Sequence, residues 1–275
     1  MNDAARIVLR SPPNAKFGLA VVSVYLFAAL FAPMLAPFSE TEIVGAEFEP
    51  WGGEFLFGTD NLGRDMLTRL IFGARNTVGI AFITTALAFS AGVAGGLFAA
   101  ARGGWTDQIL SRFVDMGMAI PPLIFALLML TIFGTGVAPL ILVIAAIQAF
   151  PVFRIARAVT MDIAVMEYVE AAKVRGESLL WITAREILPN AAPPLVAEFG
   201  LRFVFIFLFI SALSFLGLGL QPPIADWGGM VRENATLITF GDITPLLPAG
   251  AIALLTVAVN FVVDWLLHLA SGLKK

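Results

Sequence analysis

The segment MDIAVMEYVEAAKVRGESLLWITAREILPNAAPP, residues 161–194, interleaves acids and bases closely, whereas the residues on either side of it are mostly apolar. A charged insert between two apolar runs is what a loop outside a membrane looks like when a helix crosses the membrane on each side. The loop runs from Arg154 to about Ala192. Asp162 and the run Met166 to Arg175 favour a short helix with mixed faces. Gly176 breaks it, because glycine alone turns this sharply without a Cβ penalty. Ser178 is placed to cap a second helix through Leu188. Pro189, Pro193 and Pro194 are expected to end that helix and start the next span. The small residues Ala171 and Ala172 would let a partner approach closely, and Glu170, Lys173 and Arg175 offer charge pairing.

Working outward, the 275-residue chain is 59% hydrophobic and only 13% charged, against about 25% charged in a soluble domain. That excludes a soluble enzyme, a disordered chain and a nucleic-acid-binding module. The net charge of −3 supplies no basic field for phosphate backbones. With no cysteine and one histidine, His268, thiolate metal sites, disulfides and a Ser-His-Asp triad drop out. A helix needs about 20 mostly apolar residues to cross the hydrocarbon core. Six stretches meet or approach this: Phe17 to Leu35, Thr77 to Ala101, Phe113 to Phe133, a short Val137 to Val152, Pro194 to Leu216, and Leu246 to Ala270. The alternation of a membrane β-barrel is absent. The expected fold is therefore an all-α polytopic membrane protein with six transmembrane helices.

The distribution of basic residues orients it. Arg6, Arg10, Lys16, Arg102, Arg112, Arg154, Arg157, Lys173, Arg175, Arg185, Lys274 and Lys275 fall on one side, and only Arg64, Arg69, Arg75 and Arg232 on the other. This places both termini and the 154–192 loop in the cytoplasm. The first outer segment agrees, since Glu40, Glu42, Glu47, Glu49, Glu54 and Asp60 precede any base there. The N-terminal span reads as an uncleaved signal anchor, because cleavage would put Lys274 and Lys275 on the wrong side.

The wording of the loop resembles the EAA loop of ABC-importer permeases. Glu170-Ala171-Ala172 is followed by Gly176 and then by Leu188-Pro189 at the family's intervals. Ile187 stands one place late and Glu186 occupies the usual isoleucine slot, a shift shared by the peptide-type branch. Three other strings resemble the dipeptide/oligopeptide/nickel, or DppC/OppC-like, branch: FGTDNLGRDMLTRLIFGARNT (57–77), AIPPL (119–123) and ALSFLGLGLQPPIADWGGM (212–230). The resemblance implies a type I ABC-importer permease fold in a bacterial inner membrane. In it, Glu170, Ala171, Ala172, Lys173, Arg175, Gly176, Leu188 and Pro189 form the coupling loop that docks on a separate ATPase. It further implies a second homologous permease, two ATP-binding subunits and an extracytoplasmic substrate-binding protein. Residues 1–75 would be an anchor span with an outer amphipathic segment, and 76–271 the permease core. The chain has no GxxxxGK[ST] phosphate loop, so ATP would be used by partners and no cofactor is expected on this chain. It would be a transport subunit and not an enzyme. Family cargoes include di- and oligopeptides, glutathione, nickel chelates, opines and sugars.

Two further segments have plainer readings. The 57–77 string can be an interfacial helix with Arg64, Arg69 and Arg75 snorkelling. Residues 217–244 can be a re-entrant turn with Trp227 at headgroup level, since Gly217, Gly219, Pro222, Pro223 and Trp227-Gly228-Gly229 are not expected to continue a helix. Within the spans, Glu198 and Arg202 are four apart and should pair. Asn260, Asp264 and His268 form a stripe that must face protein or water, and Arg112 and Asp115 lie near an inner end. The stripe defines the rival function, a proton-coupled secondary transporter or channel, although Asn260 and Asp264 match recurring positions in the resembled family. A pathway-free assembly scaffold is a further alternative. Gly92, Gly95, Gly96 and the neighbouring alanines mark close helix packing.

Overall fold

The computed structural model describes residues 11–270, so Arg6, Arg10, Lys274 and Lys275 lie outside the described residues. Nine helices order the described chain: α1 (Pro13–Leu35), α2 (Met66–Arg102), α3 (Gly104–Ala119), α4 (Pro122–Phe133), α5 (Val137–Ala164), α6 (Glu167–Val174), α7 (Leu179–Phe215), α8 (Trp227–Glu233) and α9 (Leu246–Ala270), with a 3₁₀ segment at Ala235–Phe240. The only extended pairings among the described residues are two isolated bridges, Gly52 with Phe55 and Thr59 with Asp65. The all-α expectation holds. α1, α2, α5, α7 and α9 are long and apolar enough to cross a membrane, and the bent pair α3–α4 is a sixth candidate.

Four boundaries differ from expectation, each for a local reason. The third span is broken: α3 and α4 meet at 88°. Ile120 precedes Pro121, which precedes Pro122, and both pre-proline residues are driven to extended ψ (127° and 126°), so no helix passes through them. The fourth helix is not short; α5 continues past Pro151 and carries Arg154 and Arg157 as helical residues. Residues 154–164 therefore belong to a helix and not to the loop. Pro189, Pro193 and Pro194 do not end a helix either, because α7 runs through all three. A π-turn at Thr183–Ile187 precedes them, and such a turn re-routes carbonyls near a proline that has no N–H to offer. The Asn190 side-chain amide donates to Glu186 O at 2.6 Å, at the end of this turn. Finally, α2 begins at Met66, well before Thr77, and passes through a second π-turn at Ala74–Val78.

At 1.5 Å per residue, the 37 residues of α2 and of α7 span about 55 Å, far more than the ~30 Å hydrocarbon core. Both helices must therefore project beyond it. α2 projects at its N-terminus into a cap formed by residues 36–65 and 217–245, and α7 at its N-terminus into an elbow formed with α6. The cap and the elbow lie at opposite ends of the bundle.

α2 and α5 make the most extensive helix pairing. A Cβ on Gly92 would stand 2.6 Å from Val152 Cβ, and one on Gly96 2.6 Å from Phe153 O. Lipid tails are as apolar as leucine, so close backbone approach, not hydrophobic burial, holds such a pair together. The packing reading is correct at Gly92, Gly95 and Gly96, whereas Gly79, near the start of that span and expected to pack in the same way, has no atom within 4 Å of an added Cβ. α7 fills the remaining core with Phe207, Ile210 and Leu213, joined by Leu130, Leu140 and Ile144. α9 packs beside α7, and α1 lies outermost against α9 and α2.

Candidate functional site

The elbow is built from local sequence. α6 ends on Gly176, whose φ of +80° is left-handed. The N–H of Gly176 donates to Lys173 O at 2.9 Å and that of Glu177 to Ala172 O at 3.2 Å, the paired closure of a Schellman motif. No atom lies within 4 Å of a Cβ placed there, so the backbone angle and not crowding demands glycine. Ser178 then caps α7, its Oγ accepting from Trp181 N–H at 3.2 Å.

One face of α6 is seated on the bundle. Val169 and Ala172 are fully buried with Leu97, Ile182 and Ile187. Ala172 is thus a packing residue of this chain, whereas Ala171 is exposed. Glu170, Lys173, Arg175, Gly176, Leu188 and Pro189 are exposed as well. Arg175 reaches Glu186 at 3.7 Å and Glu177 at 3.9 Å; half-exposed pairs of this kind contribute little. The outward face keeps Val174 at 88% and Leu180 at 81% exposure beside Glu170. A short helix fixed on one side and apolar with acids on the other is a rigid surface for a partner.

The cap is built from contacts distant in sequence. Asp60 Oδ2 accepts from Arg64 Nε at 2.7 Å and lies 3.1 Å from Arg69 Nε. Both guanidinium groups also reach Glu233, at 3.4 and 3.3 Å. Arg64 and Arg69 are buried, which overturns the snorkelling reading for both; Arg75 alone of the three stays exposed. Asp65 caps α2 through Thr68 N–H at 2.7 Å. Trp227 is buried within the chain, with Nε1 donating to Leu70 O at 3.0 Å and Tyr25 and Phe207 edge-on against its ring. Trp227, Gly228 and Gly229 do form a helix, α8. Asp226 caps it: Oδ2 accepts from Gly229 N–H at 2.8 Å and Oδ1 from the Thr77 hydroxyl at 3.0 Å. Burial pushes the Asp226 carboxyl above the ordinary carboxylate range, and its hydrogen bonds only partly offset this.

In mid-bundle, Arg202 Nε donates to Glu198 at 3.1 Å, as the i, i+4 spacing predicts, and Nη1 donates to Gln148 on α5 at 3.2 Å. On α9 the stripe residues Asn260 and His268 each engage their own helix's backbone. Asn260 Nδ2 donates to Thr256 O, and His268 Nδ1 lies 2.7 Å from Asp264 O, both within α9. Asp264 is exposed on this chain's surface.

Residues 92–271 match the model of a protein family described as the binding-protein-dependent transport system inner membrane component. The dipeptide transport system permease protein DppC of Alkalihalophilus pseudofirmus is 32% identical over 265 residues, covering 94% of this chain and 85% of that one. A Brucella suis protein named provisionally as a peptide permease is 34% identical over 258 residues, covering 92% and 84%. A Brucella ovis relative with the same kind of name gives the same figures. The chain belongs to this family, in its DppC/OppC-like branch. It is a multi-pass membrane permease subunit and not an enzyme. The family match takes in the elbow, α7, α8 and α9, whereas the cap's Asp60, Arg64 and Arg69 lie before it.

Some of this permease's polar contacts were not legible in its sequence. Gln148 looks like an ordinary polar residue in an apolar run, and Glu233 stands more than 160 residues from the arginines it neutralises. Asp107 and Arg157 form a two-pronged pair joining α3 to α5, with Arg157 Nη2 to Asp107 Oδ2 at 2.6 Å. Within the cap, the i, i+4 spacing of Asp60 and Arg64 carried a usable signal, as that of Glu198 and Arg202 did in the bundle.

Proposed function

We propose that this permease forms, with a second homologous permease, the membrane pathway of an ATP-driven importer for peptides or related small solutes. The elbow is its coupling loop. Two ATP-binding subunits dock there, on the cytoplasmic side, with both termini on that side of a bacterial inner membrane. An extracytoplasmic binding protein delivers cargo to the cap. Residues 76–271 serve as the permease core and residues 1–75 as the anchor span and outer segment. No cofactor is held by this chain, and ATP is consumed by its partners.

The observation that carries the reading is the elbow. A lever must be rigid toward its own bundle and open toward its partner. α6 meets both conditions, with Val169 and Ala172 buried and Glu170, Lys173 and Val174 outward. The names of the relatives supply the cargo class. Proton coupling along α9 is less well supported, because Asn260 and His268 spend hydrogen bonds on their own backbone.

The test is Gly176→Pro. Proline fixes φ near −65°, opposite in sign to the +80° found here. Uptake of a peptide and co-purification of the ATPase subunits should both fall sharply, while cargo capture by the binding protein is unchanged. Gly176→Asn, which tolerates the left-handed region, should retain most uptake and separates a lost turn from a misfolded chain. Normal uptake by Gly176→Pro would refute the coupling role. Collapse of uptake on uncoupling, but not on ATP depletion, would refute ATP drive.

A further inference from the structure

A groove of about 700 Å³ opens between α1 on one side and α2, α7 and α9 on the other. Its walls are apolar, with Leu30, Phe82 and Val259 among them, and it contains one charge, Arg75. The Tyr25 hydroxyl on the same wall is already engaged, donating to Ala251 O at 3.1 Å. Arg75 has no carboxylate partner among the described residues, in contrast to Arg64 and Arg69. It lies at the cap end, one residue before Asn76, which binds Glu40 and Ala225 O. At the cap end of α2 an arginine holds its head at the interface, and with no carboxylate beside it Arg75 is available to an anion from outside the chain.

We propose that the groove binds an anionic phospholipid, with the headgroup phosphate on Arg75 and one acyl chain lying inward along α1. The dimensions suit one leaflet. From Arg75 to Phe82 is seven residues of helix, about 10 Å, within the ~15 Å half-thickness of the hydrocarbon core. The wall contributed by α1 also favours lipid over protein. α1 is the least buried of the five long helices, and its Leu26, Leu30 and Met34 are exposed, so the groove is continuous with a hydrocarbon-facing surface. The site needs only that the chain spans a membrane; it does not depend on the importer reading or on which terminus faces which side.

The full-length chain, with whatever subunits it carries out of the membrane, is reconstituted in nanodiscs of phosphatidylglycerol and phosphatidylcholine and then examined by native mass spectrometry. One retained phosphatidylglycerol per chain is expected, favoured about fivefold over phosphatidylcholine, as one basic residue provides. Arg75→Gln removes the preference and Arg75→Lys keeps most of it. Gly79 lines the groove and has open space at its Cβ, so Gly79→Trp should expel both lipids while leaving Arg75 in place; a free phosphate site would survive that change. Arg232→Gln, an exposed cap cation off the groove, changes nothing. Equal retention of the two lipids, or an unaltered preference in Arg75→Gln, overturns the proposal. So does a Gly79→Cys variant of this cysteine-free chain that cross-links efficiently to another protein chain, since protein would then fill the groove.

Discussion

Asp226 holds two donors, Gly229 N–H and the Thr77 hydroxyl, from an almost wholly buried position. Desolvation, above all, raises its carboxyl above the ordinary aspartate value. The native state therefore binds this proton more tightly than the unfolded chain does. The group's stabilisation is fully present below the unfolded value and is lost as pH rises through the raised native value. Asp226→Asn keeps an oxygen for Gly229 and removes the buried charge. Its thermal stability relative to wild type should improve as pH rises above the ordinary aspartate range, in melts of the purified protein; parallel pH profiles would show that Asp226 carries no such linkage. Asp226→Ala strands both donors and should cost about 1–2 kcal/mol at low pH, and less as pH rises and the wild-type contribution is lost. Its capping of Gly229 is local, but its bond to Thr77, some 150 positions earlier, was not legible in the sequence. Gly176 and Ser178 were legible, since a left-handed turn and an N-cap are set by residues within three or four positions of each other.

At the scale of elements, sequence patterns located the long helices and misplaced their ends. α1 and α9 read correctly because an apolar run bounded by polar residues settles them. The ends of α5 and α7 did not, because proline was given its usual weight as a terminator. A π-turn and the Asn190 side chain accommodate it in α7. At Pro121 and Pro122 the two preceding residues do turn to extended ψ and the third span breaks, whereas the Pro193–Pro194 pair stays inside α7. The α2–α5 contact makes a sharper demand. At Gly96 an added Cβ meets Phe153 O and Arg157 N, which are backbone atoms and cannot rotate away. Gly96→Val should therefore force the helices apart and cost about 1–3 kcal/mol or more. At Gly95 the nearest contact is the Phe153 ring at 3.1 Å, a side chain that can move, so Gly95→Ala should be far milder. Melting temperature and protease resistance of the two variants, measured side by side, check the ranking; equal effects would show that α2 and α5 are not locked at Gly96.

Across the whole molecule, the two ends are held by different physics. The elbow is fastened by apolar side chains, Val169, Ala172, Leu97 and Ile187, around a locally determined turn. The cap is fastened by charge, with Arg64 and Arg69 against Asp60 and Glu233. The first arrangement needs only α6 and α7 for its turn, and Leu97 at the far end of α2 for its seat. The second requires the chain's residues 60–69 to find residue 233, so it couples the start of α2 to the segment that follows α7. Two arginines and two carboxylates balance, and removing one carboxylate leaves an uncompensated buried cation, which in comparable cases costs about 3–5 kcal/mol. Glu233 retains some exposure, which puts Glu233→Gln at the lower end of that range. Arg69→Met alone should also be destabilising, because Asp60 and Glu233 would then share a single cation. The double variant restores one arginine, Arg64, against one carboxylate, Asp60. It should be more stable than the sum of the single losses predicts, and the double-mutant cycle from denaturation or limited proteolysis of the cap measures that coupling. Strict additivity would mean that the four groups do not act as one network and that the cap is held by Trp227 and its apolar neighbours alone.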